Sequence, residues 1–396
     1  MSMPLIQEKV KQAVSILEEM NIDCWITFVR ESALNGDPSL PFLTSAEVTW
    51  HSAFIIERAG GATAIVGQYD KKTVEDTGAY DNVIGFVEGI GDQLQGILNK
   101  ISPDTIALNF SEGSEIADGI THGMFLTIRR WLDEIGMADR IVSAERVVSA
   151  LRERKSPAEL GHIRHAIRMT EEIFDAVSSF IAPGKTEKDI ASFMKAEAKK
   201  RNAGMAWEPT ACPAVFTGPD TAGAHYAPTN RMVERGHVLN MDFGLRSGEY
   251  CSDMQRTFYI LDDGESTAPP DVQQGFDTIR EAIEQARLAM APGVLGKDVD
   301  AVARGIITAA GYDEYPHGLG HQVGRFSHDG TALMGPPWEK YAEKPFKPLE
   351  PNMVFTIEPR LTVPGRGIVT IEEMVVVTND GAEYLSHPQT DLILIG

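Results

Sequence analysis

The sequence predicts a mixed α/β (α+β) protein with two domains, and three observations support this prediction. The chain of 396 residues is about two to three times as long as a typical domain. Helical and strand patterns alternate through the first 150 residues, and their character changes near residue 151. A short pattern then occurs twice in the remainder. We therefore expect domains at residues 1–150 and 151–396, the second made of two similar halves.

Composition and charge restrict the function. The chain has 57 acidic and 36 basic residues, a net charge of −21. Because this charge repels phosphate backbones and anionic lipids, we expect neither a nucleic-acid nor a membrane partner. We find no apolar run of about 18 residues and no signal-peptide pattern at the start, so we expect a cytoplasmic protein. Three cysteines without CxxC spacing predict packed or free thiols.

The first 150 residues predict a small α/β domain. An apolar stripe at helical spacing is followed by β-rich segments that Gly, Asp and Pro turns separate. The stripe consists of Val10, Ala13, Leu17 and Met20, and the β-rich segments are CWITFV, SAFII, ATAIV, NVIGFV and TIALNF.

A long amphipathic helix opens the second domain. Ser156, Pro157 and Glu159 occupy the cap, first and third positions of a capping box. The helix should end at the Pro183-Gly184 breaker. Its predicted apolar stripe is Leu160, Ile163, Ile167, Phe174 and Val177.

An internal echo predicts the two halves. The tripeptide APG at 182–184 recurs at 291–293, and a Lys-Asp pair follows each copy at the same distance. We expect the helix after each copy to end at a glycine, Gly204 or Gly311. The alternative is that APG is only a common turn between helices. Two similar halves would favour a ligand site at their interface.

Several catalytic motifs are missing from the sequence. Ser179 stands where a phosphate-binding loop needs its first glycine, and the GLGHQVG glycines are spaced too widely for a dinucleotide site. There is no GxSxG or HExxH motif. What remains is a set of carboxylates and histidines on apolar, strand-like segments.

Two aspartates are the first candidates. Asp242 in VLNMDFGL and Asp253 in YCSDMQRTFYI lie eleven residues apart, across the turn segment RSGEY. On paired strands of a hairpin, both carboxylates can face one cavity, where they would repel each other unless a cation lay between them. The alternative is a pair of turn or edge aspartates.

A glycine-rich segment adds three histidines, His317, His321 and His328, within twelve residues. The glycines let the backbone approach a ligand closely, which favours a loop at a site. A structural histidine remains the alternative for each one singly.

Glutamates complete the candidate set. Glu358 lies on a β-branched stretch before a proline, and Glu372 and Glu373 lie inside a predicted interior strand. Because side chains alternate along a strand, only one of the adjacent pair can face the site, where Glu358 could meet it. The alternative for each is a salt bridge. Two Asp, two Glu and one imidazole suit two divalent ions such as Mn²⁺, Co²⁺, Fe²⁺ or Zn²⁺.

In order and spacing, the segments MDFG, SDMQRTF, HGLGH, FTIEP and TIEE resemble the signatures of metallopeptidase family M24, which holds methionine aminopeptidases, aminopeptidase P, prolidase and creatinase. The resemblance covers residues 151–396, and the ERKSPAEL entry and N-terminal domain resemble the aminopeptidase P, prolidase and creatinase branch. It implies a creatinase/prolidase-like domain followed by a pseudo-twofold "pita-bread" domain.

The resemblance also implies residue roles. The two-metal ligands fall on Asp242, Asp253, His321, Glu358 and Glu372. Glu358 matches the general base, His225 and His328 match the conserved histidines that bind the scissile carbonyl and the oxyanion, and His317 matches a substrate-side histidine. Two divalent ions, with Mn²⁺ as first choice, would activate the water. The N-terminal domain would cap the site or form the interface of a homodimer.

One departure from the family bears on specificity. Proline-specific members commonly carry an arginine two residues before the last glutamate ligand, and Thr370 stands there in this chain. Arg360 and Arg366 are candidates to reach the same region.

The predicted function is a metal-dependent exopeptidase that removes an N-terminal residue at Xaa-Pro bonds of dipeptides or longer peptides. Three alternatives stay open. One is a metal-dependent hydrolase or lyase of a non-peptide small molecule. The others are a metal-free amidinohydrolase like creatinase, which the complete ligand set disfavours, and a non-catalytic binding relative, which typically loses ligands.

Overall fold

The computed structural model describes residues 2–221 and 226–396 of the chain. They divide into two compact units, Met1–Arg152 and Glu153–Gly396. Within the described ranges, no helix is both long and apolar enough to cross a membrane.

The N-terminal unit contains a six-stranded mixed sheet. Every β-rich segment predicted there forms a strand, and Ile141–Ser143 adds an edge strand that was not predicted. The strands are β1 (Cys24–Val29), β2 (Ser52–Glu57), β3 (Ala62–Gly67), β4 (Asn82–Phe86), β5 (Ile106–Leu108) and β6 (Ile141–Ser143). Their order in the sheet is β4-β3-β2-β1-β5-β6.

Helices cover both faces of this sheet. Side chains of β1 alternate between two apolar cores, with Trp25 in one and Ile26 in the other. The first core includes Leu17 from the first helix, whose predicted stripe lies on the buried side. The helices are α1 (Met3–Met20), α2 (Leu40–Leu43), α3 (Lys71–Glu75), α4 (Gly91–Ile101), α5 (His122–Asp133) and α6 (Glu145–Glu153).

Four longer helices belong to the C-terminal unit: α7 (Pro157–Ser178), α8 (Glu187–Lys200), α9 (Pro270–Ala289) and α10 (Gly296–Ala309). The predicted capping box is confirmed, because the Ser156 hydroxyl accepts from the Glu159 N–H and the Glu159 carboxylate accepts from the Ser156 N–H. The helix ends at Ser178, ahead of the predicted breaker. Thr186 and Asp189 form a second capping box at α8.

The strands of this unit form several small sheets around the helices. They are β7 (Gly204–Met205), β8 (Ala214–Thr217), β9 (Val238–Phe243), β10 (Leu245–Ser247), β11 (Tyr250–Cys251), β12 (Met254–Ile260), β13 (Gly320–His321), β14 (Leu333–Met334), β15 (Val354–Ile357), β16 (Arg360–Val363), β17 (Gly367–Thr370), β18 (Glu373–Val377), β19 (Ala382–Tyr384) and β20 (Ile393–Ile395). The largest sheet has the order β20-β12-β9-β8, and β15-β18-β19 form another.

Both copies of the echo connect two helices. Gly184 and Gly293 have φ angles of +85° and +87°, a left-handed conformation that favours glycine. Gly311 follows α10 with φ +90°, as expected. The expectation for Gly204 is wrong, because α8 ends at Lys200, Asn202 takes the left-handed conformation, and Gly204 begins β7.

The predicted interior strand around Glu372 is also corrected. It is two strands, β17 and β18, which belong to different sheets: β17 pairs with β16, and β18 pairs with β15. Glu372 lies between them and forms an isolated bridge with Gln255 of β12. The break places Glu372 beside the strands that carry the aspartates.

Candidate metal centre and active site

The first half of the C-terminal unit supplies two aspartates on one face of a strand pair. Asp242 is in β9 and Asp253 directly precedes β12, and these strands are antiparallel as expected. Gln255 lies directly opposite Asp242 in the register. Because Asp253 is two residues from Gln255, the three side chains share one face.

The second half supplies an imidazole and two glutamates. His321 Nε2 lies 3.3 Å from a Glu358 oxygen, 3.8 Å from an Asp253 oxygen and 4.0 Å from a Glu372 oxygen. With Asp242, these residues line a cavity of about 150 Å³, to which Trp207, Ser327 and His328 also contribute. The structure thus brings all five predicted ligands to one place.

Glu372 and Glu373 face opposite ways, as strand alternation predicts. Glu372 lines the cavity, whereas Glu373 pairs with the guanidinium of Arg256 at 3.1 Å. The Glu373 carboxylate also accepts from the Ser386 hydroxyl at 2.6 Å and the Gln389 N–H at 2.8 Å. Glu373 therefore has a complete set of partners away from the site.

Burial and mutual repulsion shift the pKa values of the carboxylates in this cluster. Burial and the charge of Glu358 raise the pKa of Asp242 well above its usual value. Burial and the neighbouring carboxylates do the same to the pKa values of Asp253 and Glu372. Burial also opposes ionisation of Glu358, but the hydrogen bond from His321 and the charges of nearby histidines outweigh it and lower the pKa of Glu358. Such a cluster needs cations to stay ionised at neutral pH.

The residues fit divalent metal ions. Asp242 Oδ1 and Glu372 Oε2 are buried without a hydrogen-bond partner among the described residues. Ligand atoms of Asp253, His321 and Glu372 all lie within 4.8 Å of one another. Buried carboxylate oxygens without donors are costly, and a cation in the cavity would satisfy them.

The remaining histidines lie at different distances from the cluster. The exposed His328 lines the cavity, with its ring centroid 4.2 Å from that of His321. His317 is half-buried, and its Nδ1–H donates to the Gly318 carbonyl at 2.8 Å. Burial lowers the pKa of His317. His225 lies outside the described residues.

Gln255 is a site residue that our reading of the sequence missed. Its Nε2 donates to Glu358 Oε2 at 3.2 Å, and its side chain is also within 3.2 Å of the Thr370 hydroxyl. Gln255 therefore holds one oxygen of Glu358 in place. The signal was available, because a residue two positions after Asp253 on a strand must share its face.

The two arginines considered near Thr370 lie in different surroundings. Arg366 donates to the Gly236 carbonyl and lies 3.6 Å from Asp271. Arg360 is directly opposite Thr370 in the β16–β17 hairpin. Arg360 is therefore the arginine that the tertiary structure places beside the position expected for one.

A buried, oxygen-rich donor set of this kind, at a cavity between two similar halves, is typical of a metal-dependent enzyme. Comparison with known proteins gives its family, because the model of metallopeptidase family M24 matches residues 161–379. The chain belongs to this family, and it is a metallopeptidase with a divalent metal cofactor. The resemblance predicted from the sequence is confirmed.

Individual relatives agree with this assignment. An uncharacterised peptidase of Staphylococcus saprophyticus is 28% identical over 84% of this chain and 87% of its own. A second one, from Staphylococcus aureus, is 32% identical over 61% of this chain and 64% of its own.

Solved structures resemble nearly the whole chain. An X-Pro aminopeptidase from Thermotoga maritima has 26% identity and a TM-score of 0.71, covering 96% of this chain and 99% of its own. An Xaa-Pro dipeptidase from Bacillus anthracis has 21% identity and a TM-score of 0.72, covering 98% and 100%. The predicted mixed α/β fold with a pita-bread domain is confirmed.

Proposed function

We propose that this protein is a dinuclear metal-dependent exopeptidase that removes the N-terminal residue of peptides at Xaa-Pro bonds. One observation carries the proposal: four carboxylates and one imidazole surround a single cavity of about 150 Å³. Four carboxylate charges balance two divalent cations. Bound cations would also satisfy the buried oxygens of Asp242 and Glu372, which have no hydrogen-bond partner among the described residues.

Asp242, Asp253, His321, Glu358 and Glu372 would hold the two ions. Oxygen-rich donors with one imidazole suit hard or borderline cations, and we propose Mn²⁺ ahead of Co²⁺, Zn²⁺ and Fe²⁺. When bound, the ions would lower the pKa of a water molecule and polarise the scissile carbonyl.

Glu358 would act as the general base. The neighbouring histidines favour its ionised form, and Gln255 fixes one of its oxygens at 3.2 Å. Its other oxygen, which lies 3.3 Å from His321 Nε2, would accept a proton from the attacking water and pass it to the leaving nitrogen. Ionisation and orientation are the two properties that this step requires.

Histidines would position the substrate. His328, at the rim of the cavity, can donate to the oxyanion that develops at the carbonyl, and the resemblance gives His225 the same kind of role. His317 would contact the residue after the cut. A loop network orients it, because Arg304 donates to the His317 carbonyl at 2.9 Å and pairs with Asp300 at 2.8 Å.

The Xaa-Pro preference draws its support from the solved neighbours, since an X-Pro aminopeptidase and an Xaa-Pro dipeptidase structure match 96% and 98% of the chain. Thr370 weakens the inference from motifs alone. An Xaa-Pro bond has no N–H, so a proline-specific site must recognise the ring and the free amine. Proline-free peptides are therefore the necessary comparison.

We also propose a homodimer formed through the N-terminal unit. Trp50, Tyr69 and Val87 are 62%, 96% and 85% exposed. All three lie beyond the same end of neighbouring strands. Tyr69 and Val87 follow the parallel strands β3 and β4, and Trp50 precedes β2, which is antiparallel to β3. Exposed aromatic and aliphatic side chains grouped in this way favour an interface. Light scattering after gel filtration would give the mass, and a monomer would contradict this part.

The activity test uses chelator-stripped protein supplied with Mn²⁺, Co²⁺ or Zn²⁺. Xaa-Pro dipeptides, longer Xaa-Pro peptides and proline-free controls are analysed by mass spectrometry, with Asp253→Asn as the blank. We expect metal-dependent release of the first residue before proline only. Cleavage of the proline-free controls would indicate a broader aminopeptidase. No cleavage by protein that holds two metals would refute the peptide substrate and favour a non-peptide one.

A further inference from the structure

Within the described part of its unit, the half-buried Arg360 has no charge partner. Among the residues that the structure describes, no side chain forms a hydrogen bond or ion pair with its guanidinium. Three fully buried arginines of the unit differ. Arg256, Arg304 and Arg325 pair with carboxylates at 3.1, 2.8 and 3.0 Å. A guanidinium removed from water without an anion is costly, which points to an anionic ligand.

The hairpin directs Arg360 to the active-site side. Leu361 and Val369 are paired neighbours, and both belong to the large apolar core of the unit. Arg360 and Thr370, the next pair, therefore lie on the opposite face, with side chains about 5 Å apart at Cβ. On that face the Thr370 hydroxyl is 3.2 Å from Gln255, which donates to Glu358.

Arg360 is also within electrostatic range of His317. Its positive charge is one of those that act on the His317 ring. His317 is the residue that the proposed function assigns to the substrate residue after the cut. The guanidinium is thus on the leaving-group side of the cavity, two residues along the chain from Glu358.

We propose that Arg360 binds a carboxylate on the residue after the scissile bond. In a dipeptide this group is the free C-terminal carboxylate, so the inference makes the substrate a dipeptide rather than a longer peptide. An acidic side chain at the same residue is the other source of this chemistry, and it would make the substrate a proline-free peptide. The planar guanidinium can bind either one through two hydrogen bonds. This inference rests on the proposed function and identifies its substrate class.

The test compares wild type, Arg360→Gln and Arg360→Lys, all loaded with the same metal. The substrates are Ala-Pro, its C-terminal amide Ala-Pro-NH₂, and Ala-Asp-NH₂, which carries the carboxylate on a side chain. We expect Arg360→Gln to raise KM for Ala-Pro by about 10- to 100-fold with little change in kcat, and to leave Ala-Pro-NH₂ unchanged. The KM of Arg360→Lys for Ala-Pro should lie between those of wild type and Arg360→Gln, because lysine keeps the positive charge but lacks the planar guanidinium.

Inhibition by the product gives a second readout. L-proline should inhibit the wild type about 10- to 100-fold more strongly than Arg360→Gln, whereas L-prolinamide should inhibit both equally. Arg366→Gln is the matched control in the same hairpin. Its guanidinium already has partners in Gly236 and Asp271, so the substrate preference should not change.

The outcomes separate the two proposals. A preference for Ala-Asp-NH₂ that Arg360→Gln removes would support carboxylate binding and identify the side-chain source. If Arg360→Gln raised KM equally for Ala-Pro and Ala-Pro-NH₂, or changed KM for none of the three substrates, the role of Arg360 would be overturned. The peptidase proposal would still stand. No hydrolysis of any peptide by the metal-loaded wild type would refute the proposed function and this inference with it.

Discussion

Two neighbouring glutamates provide a matched test of the metal centre. Glu372 and Glu373 are both 1% exposed and adjacent in sequence, yet they have opposite surroundings. Glu372 has an oxygen without a partner at the cavity, whereas Glu373 is bound by Arg256, Ser386 and Gln389. Replacing each by glutamine should therefore give opposite results.

Glu372→Gln should abolish metal binding without lowering the stability of the metal-free protein. The change removes one of several buried charges that repel each other, so the metal-free variant should be at least as stable as wild type near neutral pH. With metal at a hundred times its Kd, the wild type should gain about 2.7 kcal/mol, and the variant should gain nothing. For a unit of this size that gain corresponds to roughly 5–11 °C in Tm.

Glu373→Gln should show the reverse. It leaves the buried guanidinium of Arg256, 7% exposed, without its anion, and breaking one side of such a pair costs about 3–5 kcal/mol. The Tm of the metal-free protein should fall by roughly 6–20 °C. The metal-induced gain should be retained, because no atom of Glu373 lines the cavity.

The assay is calorimetry of each chelator-stripped variant with and without Mn²⁺, together with the metal content of the dialysed protein by mass spectrometry. A Glu372→Gln protein that kept its full metal content would refute the reasoning. So would a Glu373→Gln protein that lost metal while keeping its stability, since the register would then have assigned the two faces wrongly.

Two further predictions concern pH and catalysis. In the metal-free protein, the raised pKa values of Asp242, Asp253 and Glu372 mean that the folded state binds more protons than the unfolded state. Its stability should therefore be full below the usual carboxyl range and fall as the pH rises above about 4, by about 1.4 kcal/mol per pH unit for each extra proton. Bound metal should abolish this fall. Urea titrations at several pH values would measure the free energy of unfolding, and a value for the metal-free protein that does not change with pH would contradict the reasoning. His328→Ala should lower kcat by about 10²- to 10³-fold with an unchanged metal content. Single-turnover kinetics would measure this, and an unchanged rate would remove the oxyanion role.

The sequence was sufficient for the parts of this protein that local patterns control. A capping box at Ser156 and Glu159 predicted the start of α7, because capping depends on side chains three residues apart. Alternation along a strand predicted that Glu372 and Glu373 face opposite ways. Spacing and residue type were enough to select the five candidate ligands, since carboxylates on apolar segments are costly without a cation.

Other features depend on contacts between distant segments, and only the tertiary structure decided them. The segment 367–377 has the composition of one strand, but it forms two, because β17 pairs with β16 and β18 pairs with β15. The end of α8 was misplaced at Gly204, because Asn202 can also adopt the left-handed conformation that ends a helix. Local propensity does not distinguish these choices.

The surroundings of Thr370 also show which features the sequence determines and which depend on the tertiary structure. The sequence by itself determined the acidic cluster, the histidine-rich loop and the family, which all depend on residue types at fixed spacings. It left Thr370 as an unexplained departure. The hairpin register placed Arg360 directly across from it and put Gln255 against Glu358. Strand pairing between segments far apart in the chain decides which side chains meet, so only the tertiary structure shows which residues lie beside Thr370 and Glu358.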